Sequence, residues 1–161
     1  MIRTLIAWAV KRSGFGTDVI NSNNVPNMRR FAFLFPDEFW CEARGRMINK
    51  RPFFAPFNAF LHCWRSGDTG HMHDHPRWSI TIVLQGMLWE ETPNGVETLT
   101  PGSVVFRKAS AIHRIVVPEE HRGRTWTLFI VGRRKHAQHY YNNFGEPVCS
   151  YADMDREYSA P

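Results

Sequence analysis

Apolar residues recur at helical spacing at the start of the chain, where Ile2, Leu5, Ile6 and Ala9 share one face of residues 2–12 and Gly14 follows. This pattern predicts a short amphipathic helix. Residues 13–27 are rich in Asn, Gly and Ser and read as loop, and the aromatic-dense stretch 31–40, broken by Pro36, is left open between helix and strand. From Arg51 onward the period changes to two. Short β-branched or aromatic runs, separated by turn pairs such as Ser66-Gly67, Asn94-Gly95 and Pro101-Gly102, predict strands near 58–64, 71–75, 79–84, 87–91, 96–99, 103–107, 112–117 and 126–131. Pro93-Asn94-Gly95, set between two alternating runs, is the strongest hairpin signal. Eight short strands of this kind suit an all-β jelly roll.

One strand breaks the simple alternation. Ile80, Ile82 and Leu84 on one parity, and Thr81 and Val83 on the other, are all apolar or β-branched, so both faces of this strand are expected to be buried. A second layer must then cover the outer face. Either residues 1–50 supply it within the chain or a second copy does, and a homodimer through that face is the expectation carried forward. The length of 161 residues suits a single domain over 1–161, with 1–50 as an N-terminal extension and about 136–161 as a C-terminal tail.

Composition narrows the class. With 43% hydrophobic, 14% aromatic and 22% charged residues, the chain is not of disordered type. Cys41, Cys63 and Cys149 are odd in number and lack C-x-x-C spacing, which argues against a disulfide framework or a zinc knuckle and for a reducing cytoplasm. No apolar run is long enough to span a bilayer, and the run from Leu5 to Val10 leads into Lys11-Arg12 rather than a cleavage site, so neither membrane insertion nor secretion is expected. The net charge of +5 suits small anions as well as nucleic acid. The one dense basic run, Arg133-Arg134-Lys135-His136, has no stacking platform before it and reads as a solvated turn, which leaves nucleic acid a minor alternative.

The candidate chemistry lies in histidine. Four of the eight fall between His62 and His75, and His71, His73 and His75 alternate, so that on a strand they would share one face. Neutral imidazole suits zinc, iron, copper and nickel. Gly67, His73, His75 and Gly86 also stand at the positions of a motif G-x5-H-x-H-x3,4-E-x6-G, and Gly102 and His113 at those of G-x5-P-x-G-x2-H-x3-N. In these motifs and their spacing the chain resembles the cupin superfamily, and His73-Asp74-His75-Pro76, His113-Arg114 and residues 126–130 look like a group of uncharacterised bacterial and phage cupins. Four positions depart from the motifs, with Ser79 in place of the glutamate, Lys108 of the proline, Ser110 of the second glycine and Val117 of the asparagine.

The resemblance implies a cupin-type jelly-roll barrel, a double-stranded β-helix with a short N-terminal helical extension. It also implies a divalent metal in the barrel mouth, held by His73, His75 and His113. His71 is expected at the rim, and Asp74 on the opposite face as a surface or supporting group. Because a serine hydroxyl is a poor ligand, the site is expected to be a neutral three-histidine face that keeps the full metal charge and draws a small anion. Such faces occur in cupins resembling thiol dioxygenases, which places Fe(II) first, ahead of Zn, Ni and Mn. Arg77 shares the parity of His73 and His75 and is the candidate anion clamp; Arg107 is a weaker one, and Arg114 is expected in a structural salt bridge. No catalytic acid or base is identifiable, with Glu90 and Glu91 outside the motif positions. Trp78, Trp89, Tyr140 and Tyr141 read as core aromatics sooner than as cavity walls. The functional expectation is an Fe(II)-dependent dioxygenase acting on a small anionic substrate. The alternatives are a non-catalytic small-molecule or metal-binding module and a zinc or manganese isomerase or lyase.

Overall fold

The computed structural model describes residues 2–13, 17–20, 26–35, 39–41, 46–48, 54–68, 70–135 and 138–150. The N-terminal helix α1 spans Ile2–Ser13, as the spacing predicts, and the strands that follow are β1 (Thr17–Ile20), β2 (Pro26–Ala32), β3 (Phe39–Cys41) and β4 (Arg46–Ile48). Then come β5 (Asn58–Trp64), β6 (Met72–His73), β7 (Ser79–Gln85), β8 (Leu88–Thr92) and β9 (Gly95–Leu99). The chain continues through β10 (Val104–Arg107), β11 (Arg114–Val116), β12 (Thr125–Val131), β13 (His139–Tyr141) and β14 (Pro147–Ser150). Gly14, His136 and residues 151–161 of the expected tail lie outside the described residues.

The strands form a six-stranded sheet in the order β1-β2-β5-β12-β7-β10, two three-stranded sheets, β11-β8-β9 and β14-β13-β6, and the pair β3-β4. Every pairing is antiparallel. The main core fills the space between the large sheet and β11-β8-β9. Met28, Trp64 and Val83 from the former meet Leu88, Leu99 and Ile115 from the latter, with Val117 beside them, and Leu88 and Leu99 are essentially sealed from solvent. A second cluster lies on the outer face, where Ile6 of α1 packs on Phe31 and Leu61, with Leu84 and Trp126 against them.

The doubly buried strand is resolved by this arrangement. On β7 the deeply buried side is Ser79, Thr81 and Val83, while Ile80, Ile82 and Leu84 face outward and are half-buried. Helix α1 covers the Leu84 end within the same chain. The small and hydroxylated residues thus line the interior, where bulkier neighbours and the site need room.

Two expectations are corrected. Residues 13–27 are not loop throughout, since β1 and the start of β2 extend the large sheet at one edge. Asn27 belongs to that strand because its carbonyl accepts from the backbone N–H groups of Arg65 and Ser66 at 2.8 and 3.1 Å, so pairing overrides weak strand propensity. The strand expected over 71–75 shrinks to Met72–His73. Its partner β13 reaches only Tyr140 and Tyr141, and Pro76, which has no N–H, follows two residues beyond Asp74.

Both motif glycines around the histidines have steric reasons. Gly67 adopts φ +73° and bridges to Val116, where a Cβ would stand 2.6 Å from the carbonyl oxygen of Ile115. Gly86 adopts φ +80° directly against Thr125.

A candidate metal centre in the barrel

His73 lies on β6 and His113 just before β11, and the two backbones bond reciprocally, N–H of His73 to the carbonyl of His113 at 2.9 Å and the reverse at 3.0 Å. His75 follows two residues after His73 and closes the triangle. Ring centroids are 5.1 Å apart for His73 and His75, 5.3 Å for His73 and His113, and 5.0 Å for His75 and His113. One nitrogen from each ring falls within 4.8 Å of the other two, so the three histidines that the cupin resemblance groups are close in space and could hold a metal ion.

Glu90 orients this cluster. It is buried on the inward parity of β8 with Leu88, and its Oε1 pairs with Nδ1 of His113 at 2.7 Å. With Nδ1–H donating to the carboxylate, the neutral ring has its lone pair on Nε2, and this buried atom has no partner among the described residues. The same carboxylate accepts two bonds from Arg107, Nη2 to Oε2 at 2.6 Å and Nε to Oε1, while Arg107 Nη1 donates to Thr81 Oγ1 at 2.7 Å. Burial pushes the Glu90 carboxyl up, but the bonds from His113 and Arg107 and the guanidinium charge outweigh it and hold the group at about 2. Burial holds both His73 and His75 below the usual imidazole range, and competition with His113 and His73 for a proton and the Arg107 and Arg30 charges lower His75 further, so these two rings are neutral donors at pH 7. An orphaned Nε2 with a carboxylate behind it, together with the nitrogens of two neutral rings, fits iron, zinc, nickel or manganese.

The cluster opens into a cavity of about 500 Å³. Its walls are apolar at Phe60, Leu88, Ile115 and Phe129, and its charged lining consists of Arg30, Arg77, Arg107 and Arg134 against Asp68. Arg77 therefore lines the cavity, as its parity suggests. Ser79 is fully buried on the inner face, its Oγ without a partner among the described residues.

Other residues take supporting places. His71 is exposed and apart from the cluster, in keeping with a rim position. Asp74 turns to the opposite side but is buried, not at the surface, because it ties β6 to β13: it accepts from the backbone N–H of His139 at 2.8 Å, pairs with His139 Nδ1 at 3.0 Å, and accepts from Tyr141 Oη at 3.2 Å. Arg114 forms the expected salt bridge, with Glu91. Trp78 lines an outer groove and Trp89 is 38% exposed, so neither is core. Sequence reasoning did not single out Glu90 for His113, nor His62 and Arg30 for the cavity wall. The alternation of Leu88 with Glu90 on one predicted strand carried the signal for the first.

Comparison of the sequence with protein-family models found no match, and neither did comparison with curated proteins. Solved structures do match the fold. KdgF from Halomonas sp. aligns over 76% of this chain and 92% of its own at TM-score 0.52 and 18% identity. The DMSP lyase DddQ from Ruegeria pomeroyi aligns over 84% and 64% at TM-score 0.55 and 13% identity. A protein of unknown function with a cupin-like fold from Ralstonia eutropha aligns over 88% and 76% at TM-score 0.52 and 11% identity. The chain has the cupin fold. No helix among the described residues is long and apolar enough to cross a membrane.

Proposed function

We propose that the protein is a metal-dependent cupin in which His73, His75 and His113 hold one divalent ion and a small organic anion enters the cavity to meet it. The carrying observation is the convergence of three imidazoles, one with an orphaned buried Nε2, in a cavity lined by four arginines and one aspartate. Three neutral ligands leave the charge of the ion uncompensated, which favours an anion at its open positions. Fe(II) is the favoured metal and dioxygenation the favoured reaction. Bound iron would supply the one-electron chemistry by which dioxygen combines with an organic substrate.

The chain's own residues do the rest. Glu90 fixes the tautomer of His113, Arg77 neutralises the outer charge of the anion, and Phe129, Leu88 and Ile115 exclude water from the inner wall. Glu90 is committed to His113 and Arg107, and Asp68 Oδ2 accepts the N–H of Ile115 at 2.9 Å. That commitment of both carboxylates argues against an isomerase or lyase needing a carboxylate base, although one fold neighbour is a lyase. It favours, as a second reading, a binding module without turnover.

Elemental analysis of the purified protein is the test. One metal per chain is expected, sharply reduced in His73→Ala, His75→Ala and His113→Ala and retained in His71→Ala. Full stoichiometry in His113→Ala would overturn the assignment. Iron-dependent oxygen uptake with small anions supports dioxygenation, whereas anion-induced melting shifts without turnover support the binding module.

A further inference from the structure

His62 and Arg30 form a second polar group in the same cavity, apart from the metal centre. They are direct cross-strand partners on β5 and β2, and both side chains line the cavity. Arg30 Nε donates to His62 Nε2 at 3.1 Å, so Nε2 acts as acceptor and the proton of the neutral ring sits on Nδ1. Burial and the Arg30 charge hold the imidazole well below its ordinary pKa, in keeping with that neutral form. His62 is 2% exposed, and its Nδ1 has no partner among the described residues. An N–H donor left unpaired in an interior is rare and costly, and it calls for an acceptor.

The ring is held in place from several sides. It stacks on Phe60 at 6.3 Å and 19°, meets Trp64 edge-on at 5.9 Å and lies 5.1 Å from Phe129. The Arg30 guanidinium in turn sits 5.1 Å above the Phe60 ring. Phe129 also approaches His75, at 6.1 Å, so one aromatic ring neighbours both this donor and the histidine cluster.

We propose that His62 Nδ1–H is a specificity determinant that receives an acceptor oxygen at the far end of the anion, with Arg30 fixing the tautomer. The ligand class is therefore a short organic anion with acceptor oxygens at both ends, such as a dicarboxylate, in preference to a monocarboxylate with a hydrocarbon tail. This deepens the metal-and-anion reading given above and rests on it. Selectivity arises because the hydrocarbon tail would leave the buried N–H unpaired, and sites built to hydrogen-bond discriminate strongly against ligands lacking the partner atom.

The probes are succinate and butyrate, anions of equal carbon number, titrated calorimetrically into the zinc-loaded full chain. Succinate is expected to bind about tenfold or more tighter. His62→Phe keeps the ring stacking and removes the donor, and it should abolish the preference while zinc stoichiometry stays unchanged. Arg30→Met offers a second variant with the same expectation should the first fail to fold. Equal binding of the two anions to the wild-type chain, or a preference that survives in the folded variants, overturns the proposal.

A second arm uses metal-free protein with ¹⁵N-labelled histidine. The His62 Nδ1 resonance is expected to show a protonated nitrogen and to shift saturably with succinate. An unmoved resonance at saturation overturns the proposal whether or not metal binds, while failure of the metal reading would appear separately as absent zinc.

Discussion

Glu90 accepts the Nδ1–H of His113 at 2.7 Å, and this one bond decides which ring nitrogen of His113 faces His73 and His75. Glu90→Gln keeps the shape and removes the charge. An amide can present its NH2 to Nδ1, which permits the wrong tautomer, so metal affinity should fall about 10- to 100-fold. Glu90→Ala should also cost roughly 3–5 kcal/mol in stability, because it leaves the buried Arg107 guanidinium without its carboxylate. Metal titration and chemical denaturation of the two variants separate these effects. Equal metal affinity in Glu90→Gln and the wild type would remove Glu90 from the metal site.

His62 gives the metal-free protein a pH signature. Its folded-state pKa lies below the ordinary histidine value because of burial and the facing Arg30 charge, so the unfolded chain binds the proton more readily. The stability it contributes is fully present above about pH 6.5 and is lost as pH falls toward its lowered folded value, by up to ~1.4 kcal/mol per pH unit for one proton. His73 and His75 act in the same direction, so the wild-type slope is a sum. Denaturation series from pH 8 to pH 5 on the wild type and His62→Phe isolate its share. The variant should lose less stability over that window, and parallel slopes would show that His62 does not titrate on unfolding.

The parts legible in the sequence were those governed by local period and fixed spacing. The strand 58–64 coincides with β5, and the grouping of His73 and His75 with the distant His113 comes from the resemblance of their spacings to the cupin motifs. What local pattern could not reveal is what pairing decides. Pro26-Asn27 reads as the end of a loop, yet it opens β2, with Pro26 paired to Ile20 of β1 and the Asn27 carbonyl accepting from Arg65 and Ser66. His62 and Arg30 are unremarkable in sequence, 32 positions apart, and become a unit only through the register of β2 on β5. Glu90 was within reach, since its parity with Leu88 places a carboxylate in the interior, where it needs buried cations.

The outer face of the large sheet carries a prediction about assembly. Helix α1 packs near Leu84, but at the other edge Val104 and Phe106 of β10 remain 63% and 61% exposed beside Trp78 and Ile80. Edge strands with apolar outer faces invite pairing with another chain. Sedimentation velocity should show a species of twice the chain mass, converted to monomer by Phe106→Glu. A monomer at high concentration would mean that the cover supplied by the N-terminal helix suffices.

Ser79 stands where the motif carries a carboxylate, and restoring that carboxylate tests the proposal that uncompensated metal charge draws an anion to the site. Ser79 is fully buried on the inner face of β7, directly across from Arg107 on β10. In Ser79→Glu the longer side chain has two partners to choose between, the metal and Arg107, whose guanidinium already serves Glu90 and Thr81. If it reaches the metal, the site loses one unit of positive charge. At an effective dielectric near 20, one charge pair at 4 Å is worth about 4 kcal/mol, ample to shift both equilibria. Metal binding should then tighten by about tenfold or more, while azide binding to the loaded protein weakens by a similar factor. If the new carboxylate takes Arg107 instead, Glu90 loses its clamp and metal binding weakens. Paired titrations with Co(II) and then azide distinguish the outcomes. Unchanged azide affinity in a variant whose glutamate ligates the metal would show that uncompensated charge is not what attracts the anion.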